Sequence, residues 1–140
     1  MGTRSTIALE FADGTVEQIY CHWDGYLSHN GAILAEHYSD PFKLQRLIDL
    51  GSISSLDKDI GSKHDFNARL EGETTFYARD RGEELTKEKF ANFAVYKAEH
   101  QYEEFEYILR QVDGKAVWFV SEGGKYITLT EAFEKEKEAA

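Results

Sequence analysis

The sequence has little of what staples, anchors or exports a small protein. One cysteine, Cys21, among 140 residues excludes an intramolecular disulfide and fits a reducing compartment. No apolar run approaches the ~20 residues a membrane span requires. The first residues show no signal-peptide pattern. The expectation is a cytoplasmic protein without membrane contact. Basic residues are also scarce, with 16 Lys and Arg against 26 Asp and Glu and a net charge of −10. Such a chain is repelled by free nucleic acid, whose binders carry a basic stripe. It is drawn instead to basic surfaces, including those of nucleic-acid-binding proteins. The plain alternative is that the acidity confers only solubility.

What is present is enough to fold without help. Hydrophobic residues make up 41% of the chain and aromatics 14%, and the 30% of charged residues are interspersed among them. The length is that of one domain, which buries roughly 68–70% of its unfolded surface. No repeat, low-complexity stretch or linker divides residues 1–140, so one domain is expected.

Hydrophobic periodicity outlines the elements. Residues 4–11 alternate, with Ile7, Leu9 and Phe11 on one face. Asp13-Gly14 is a turn signal, and residues 15–23 alternate again. These two segments read as a hairpin. Residues 32–38 read as a short helix. Asp40-Pro41 starts another, with Asp40 as cap and Pro41 at the first helical position, and Gly51 ends it. Residues 57–73 read as loop, 74–78 as a short strand, 80–84 as a charged loop and 86–100 as a helix capped by Thr86. Residues 104–111 and 116–120, joined at Asp113-Gly114, read as a second hairpin. Residues 126–127 read as a further strand, and Thr128 to Glu131 as a capping box that opens a terminal helix. The implied class is α+β: an antiparallel sheet built from two hairpins, about four to six strands, with helices packed mainly on one face.

Three features offer chemistry. The first is Tyr20-Cys21-His22-Trp23-Asp24-Gly25-Tyr26, with His29 and His37 nearby. As a metal site, Cys21, His22, Asp24, His29 and His37 match no zinc spacing, and Cys21 and His22 point to opposite faces of a strand. As a nucleophile, Cys21 needs His29 or His37 as its partner. As structure, Cys21 packs as a small apolar group, Trp23 and Tyr26 anchor the loop and Asp24 makes a turn. The expectation is therefore no metal, no cofactor and no catalytic residue.

The second feature is Tyr77-Ala78-Arg79-Asp80-Arg81-Gly82-Glu83. Its arginines present planar forks to a phosphate, or neutralise acidic neighbours in a salt-bridged loop. If the first two features meet in space, His22, Trp23, Asp24, Tyr26, Tyr77, Arg79 and Arg81 line an aromatic pocket suited to a nucleotide. The third feature is a candidate acidic surface of Glu10, Asp13, Glu17, Glu103, Glu104, Glu106 and Asp113. Glu104 and Glu106 stand roughly 7 Å apart on one strand face, near the phosphate spacing along a nucleic-acid strand.

Over roughly its first 85 residues, the chain resembles a family of small bacteriophage and prophage proteins of unassigned function. The resemblance is carried by Thr3-Arg4-Ser5-Thr6-Ile7-Ala8, the Tyr20–Tyr26 segment, His37-Tyr38, the run from Leu47 to Leu56 and the Tyr77–Glu83 segment. It implies origin and brings no catalytic or binding residues. Small acidic phage proteins often block host machinery. By that analogy, the expected function is non-enzymatic inhibition of a host defence complex, of anti-CRISPR type. The acidic face would mimic nucleic acid in a basic groove of the partner, within the host cytoplasm. The alternative is a nucleotide-binding or nucleotide-processing protein.

Overall fold

The computed structural model describes residues 3–99, 103–122 and 125–139. It is α+β, with eight strands in one mixed sheet. β1 (Ser5–Glu10) and β2 (Val16–Cys21) form the first hairpin, and β6 (Phe105–Val112) and β7 (Lys115–Glu122) the second. β3 (Ile53–Ser55), β4 (Thr75–Phe76), β5 (Glu88–Phe90) and β8 (Lys125–Thr128) complete the sheet. The strand order is β4-β3-β2-β1-β6-β7-β8, with β5 also on β2.

Two of these pairings correct the antiparallel expectation. β1 runs parallel to β6, which joins the two hairpins side by side, and β2 runs parallel to β3. Local sequence carries each hairpin turn, but nothing local says how two hairpins abut. That orientation is decided by which faces must be buried together.

Ile7, Leu9, Ile19 and Cys21 point to one face of the sheet, beside Tyr107, Leu109, Trp118 and Val120. The helices α1 (Ala32–His37), α2 (Pro41–Asp49) and α5 (Leu129–Ala139) contribute Leu34, Leu44, Leu47, Ile48, Leu129 and Ala132 to this main core. Asp40 caps α2 by accepting a hydrogen bond from Phe42 N at 2.9 Å, and Gly51 follows with φ +86°. Thr128 Oγ1 accepts from Glu131 N at 3.1 Å at the start of α5. Ala8, Val16 and Ile108 point to the other face, covered by Phe90 and by Tyr96 of a fourth helix, Phe93–Glu99.

The stretch 86–100 is not one helix. Glu88-Lys89-Phe90 pairs with β2 opposite Gln18, Glu17 and Val16. The helix starts only after Asn92, whose Oδ1 accepts from Val95 N at 2.9 Å. His100 lies outside the described residues. An unpaired edge of β2 offers ladder hydrogen bonds that a helix there would forfeit, and this overrides helical propensity. Residues 77–81 form a one-turn helix, α3, where the end of a short strand (74–78) and a charged loop (80–84) are expected. The Phe93–Glu99 helix is accordingly α4. Among the described residues no helix is long and apolar enough to cross a membrane.

The segment after β2 is locked onto the start of β1. Gly25 N donates to Thr3 O at 2.7 Å, and Tyr107 Oη donates to Gly25 O at 2.6 Å. Asp24 takes φ +57° to make the turn, and a π-helical turn, Leu27–Gly31, leads into α1. Buried Asn30 donates from Nδ2 to Ser5 Oγ, Cys21 Sγ and Trp23 O at 3.2, 3.3 and 3.3 Å. A Cβ on Gly25 would lie 2.8 Å from Ser5 Cβ and 2.9 Å from Thr3 O. Gly25→Ala is therefore expected to cost about 1–3 kcal/mol, read as a lowered midpoint in thermal or urea denaturation.

Candidate functional site

The acidic residues named from sequence do not form one face. Glu106 is only 2% exposed, on the strand face opposite Thr6 and Ser121, so it is not a surface group. Its pairing with exposed Glu104 as a phosphate-like row is thereby lost. Glu10 receives the Arg110 guanidinium at 3.1 and 3.3 Å. Glu17 holds Lys87 at 3.0 Å and Lys89 at 3.8 Å. Asp13 and Asp113 sit in the two hairpin turns, which the parallel pairing of β1 and β6 places at the same end of the sheet. Glu103 and Glu104 lie at the opposite end, about 17 Å of strand away. The Asp13 carboxyl is held below its usual range by hydrogen bonds from Thr15, a turn role rather than a docking role.

The arginines of the expected nucleotide pocket are engaged in the fold. Arg79 donates to Ile60 O at 2.9 Å, Gly61 O at 3.2 Å and Thr74 O at 2.9 Å, and pairs with Asp80 at 3.0 Å. Its guanidinium also lies over the Phe76 ring. Arg81 pairs with Glu83 and lies over the rings of Phe66 and Tyr77. Trp23 meets His22 edge-on at 4.7 Å, and His22 Nδ1 lies 2.8 Å from Tyr20 Oη. Tyr26 faces His29 on the far side of the turn. Of His22, Trp23, Asp24, Tyr26, Tyr77, Arg79 and Arg81, Tyr77 alone lines the cleft described below.

Asp80 anchors this corner. Its carboxylate is buried and accepts from Phe76 N at 2.8 Å, from His64 N at 3.1 Å and from Arg79. Burial opposes its ionisation, but the Arg79 bond and the two backbone donors together outweigh burial, and its pKa falls below the usual value. Cys21 is fully buried, and burial pushes its thiol up to about 11. That excludes an activated thiolate at neutral pH. Among the described residues no group of three or more His, Cys, Asp or Glu side chains is placed to hold a metal ion.

A cleft of about 610 Å³ lies beside β2. It lies where the outer edge of β2 is shared between two short neighbours. β5 pairs only as far as Gln18, and β3 begins opposite Cys21. Between them Tyr20 N is satisfied by Ser52 Oγ at 3.1 Å instead of by a strand. Gln18 and Tyr20 line the cleft from β2, Tyr77 from α3, Ser52 and Thr86 from the connecting segments, and Arg4 from the β1 end.

Four carboxylates line the same cleft: Glu83, Glu84, Glu88 and Glu103. Glu83 is paired with Arg81. Lys87, also in the lining, is engaged by Glu17 and Asp49 at 3.0 and 3.1 Å. Burial opposes the charge of Lys87, but these two carboxylates raise its pKa overall. Glu84, Glu88 and Glu103 have no ion pair within the described residues, and Arg4 alone opposes them. The cleft is therefore anionic, with tyrosine in its walls. Of its carboxylates, sequence reasoning named Glu103 in the acidic surface and Glu83 in the second cluster. Glu84 and Glu88 were hidden in a presumed loop and helix, and no local signal marks a split strand edge.

Comparison with protein-family models, with curated proteins and with solved structures gives no match to the chain.

Arg79→Met is expected to cost about 3–5 kcal/mol, because it leaves the buried Asp80 carboxylate without its guanidinium. Asp80 titrates lower when folded than when unfolded. Its stabilising contribution is complete above about pH 4 and is lost as the pH falls through its folded-state value. Denaturation of the variant should consequently show a smaller loss of stability on acidification than the parent. Native Cys21 should resist iodoacetamide at mildly alkaline pH and react only after unfolding, as followed by mass spectrometry.

Proposed function

We propose that the protein is a non-enzymatic binding module whose anionic cleft receives a basic side chain of a partner protein. The observation that supports this reading is the set of three carboxylates without ion pairs among the described residues, Glu84, Glu88 and Glu103, around one cleft. Glu10, Glu17 and Asp80 by contrast are matched by Arg110, Lys87 and Arg79. A charge that a fold leaves unmatched inside a concave wall raises the local concentration of counter-charged groups and speeds their encounter. Tyr20 and Tyr77 add rings on which a guanidinium can stack.

With the resemblance to phage-borne proteins, the partner is a nucleic-acid-handling protein of a host defence complex, of anti-CRISPR type. Binding then removes an arginine or lysine from the groove that nucleic acid would occupy. This differs from imitation of a phosphate row, because the contact is a pocket taking one cation at a time. The nucleotide reading gains nothing from the geometry, since Arg79 and Arg81 are engaged internally.

The test is binding to an arginine-rich peptide, followed by competition against guide or target nucleic acid on a purified defence complex. Affinity should fall steeply with salt. The combined charge reversal Glu84→Lys, Glu88→Lys and Glu103→Lys should lower it by about tenfold or more, with the denaturation midpoint little changed because all three lie outside the core. Reversal of Glu10 or Glu17 should instead lower stability. Peptide binding that is indifferent to salt and to the triple reversal would remove the proposal.

A further inference from the structure

The two faces of the sheet are covered unequally. On the main-core face α2 contributes Leu44, Leu47 and Ile48, each 0% exposed. On the other face α4 spans seven residues, and Tyr96 is its one buried side chain. Phe93 and Val95 are half-buried, whereas Ala94, Lys97, Ala98 and Glu99 are exposed. Tyr96 joins Ala8, Val16, Phe90 and Ile108 in a small apolar cluster. At the first turn of α4, Arg110 lies 3.6 Å from the centre of the Phe93 ring while its guanidinium also holds Glu10. A helix of two turns has little stability of its own, so α4 depends on Tyr96 and on this ring contact to stay in place.

Beside the apolar cluster, the face under α4 is polar. Strand register aligns Thr6 on β1, Glu106 on β6, Ser121 on β7 and Tyr126 on β8 in one row. Thr6, Glu106 and Ser121 are at most 2% exposed. Ser121 Oγ has no hydrogen-bond partner among the described residues. Burial first, then Tyr126 and Glu106, push the Tyr96 phenol well above its ordinary value, so Tyr96 sits against this row. Drying a carboxylate and two hydroxyls is costly. Closure of α4 therefore gains the burial of one tyrosine and gives up the hydration of the row beneath it.

We infer that α4 is a lid that lifts from the sheet as a unit, while the strands and the main core stay folded, and that it controls access to the Thr6–Glu106–Ser121 row. Closed, the row is out of reach of any partner. Open, it offers a carboxylate between two hydroxyls. The connection from β5 is short and exposed, Ala91-Asn92, and a change of backbone angle there turns the whole helix. Elements with few buried apolar contacts open at the low end of the free energies available to a fold. The inference does not depend on the cation-binding reading of the cleft.

Thiol labelling tests it. Ser121→Cys places a thiol under α4, and Cys21, fully buried on the opposite face, is the reference in the same molecule. With iodoacetamide and peptide mapping by mass spectrometry, position 121 should react about a hundredfold faster than Cys21. Its rate should change little at low urea, whereas that of Cys21 should climb with urea as global unfolding does. Leu47→Ala weakens the main core, which the closed and the open forms share. It should speed the labelling of Cys21 and leave position 121 unchanged. Thr6→Cys, in the same row, supplies the comparison should Ser121→Cys fail to fold. Hydrogen exchange of the unaltered chain should likewise show α4 opening with little urea dependence while β1 and β6 stay protected. Equal labelling of positions 21 and 121, acceleration of both by Leu47→Ala, or equal protection and urea dependence of α4 and β6 overturns the lid.

Discussion

The outer edge of β2 has two neighbours where a strand usually has one. β5 takes the stretch from Val16 to Gln18, β3 takes Cys21, and the two diverge between them. Each neighbour is held by its own packing. Phe90 enters the small core beside Tyr96, and Ile53 enters the large core beside Phe76. These cores lie on opposite faces of the sheet. In the gap Ser52 caps Tyr20 N, and Gln18 and Tyr20 are among the residues that line the cleft. The cleft and its charge follow from that divergence.

Net charge proved a poor guide to where charge is available. A chain with a formal charge of −10 has carboxylates on nearly every element, but the fold uses many of them. Glu10 ties Arg110 across from β1 to β6, Glu17 gathers Lys87 and Lys89, and Asp80 organises the turn into α3. Glu106 is buried outright. What matters for a partner is the remainder that no internal cation satisfies, and in the cleft that remainder is Glu84, Glu88 and Glu103 among the described residues.

The motifs behind the phage-protein resemblance occupy one corner of the molecule. Thr3 and Ser5 meet the turn at Gly25 and Asn30, Cys21 pairs with Ile53, Trp23 N donates to Ser54 O at 3.0 Å, and Tyr77 N donates to Ser52 O at 3.3 Å. Most of these residues do structural work. Gly25 permits close approach, Asn30 bridges two strands, and Arg79 with Asp80 rivets α3 to the loop before it. Arg4, Tyr20, Ser52, Tyr77 and Glu83 are the members that also line the cleft.

Composition and periodicity sufficed for the α+β class, both hairpins, the capped start of α2 and the terminal helix, because each depends on contacts within a few residues. The sequence pattern also placed Cys21 and Asp24 in structural roles without recourse to contacts. Tertiary structure alone decided that β1 and β6 run parallel, that residues 88–90 form a strand, and that Glu106 is buried while Glu84 and Glu88 face a cavity. Those outcomes turn on pairings between residues about seventy to one hundred positions apart along the chain. Burial and charge neutralisation are properties of such pairs, and a periodicity read along one segment carries no information about them.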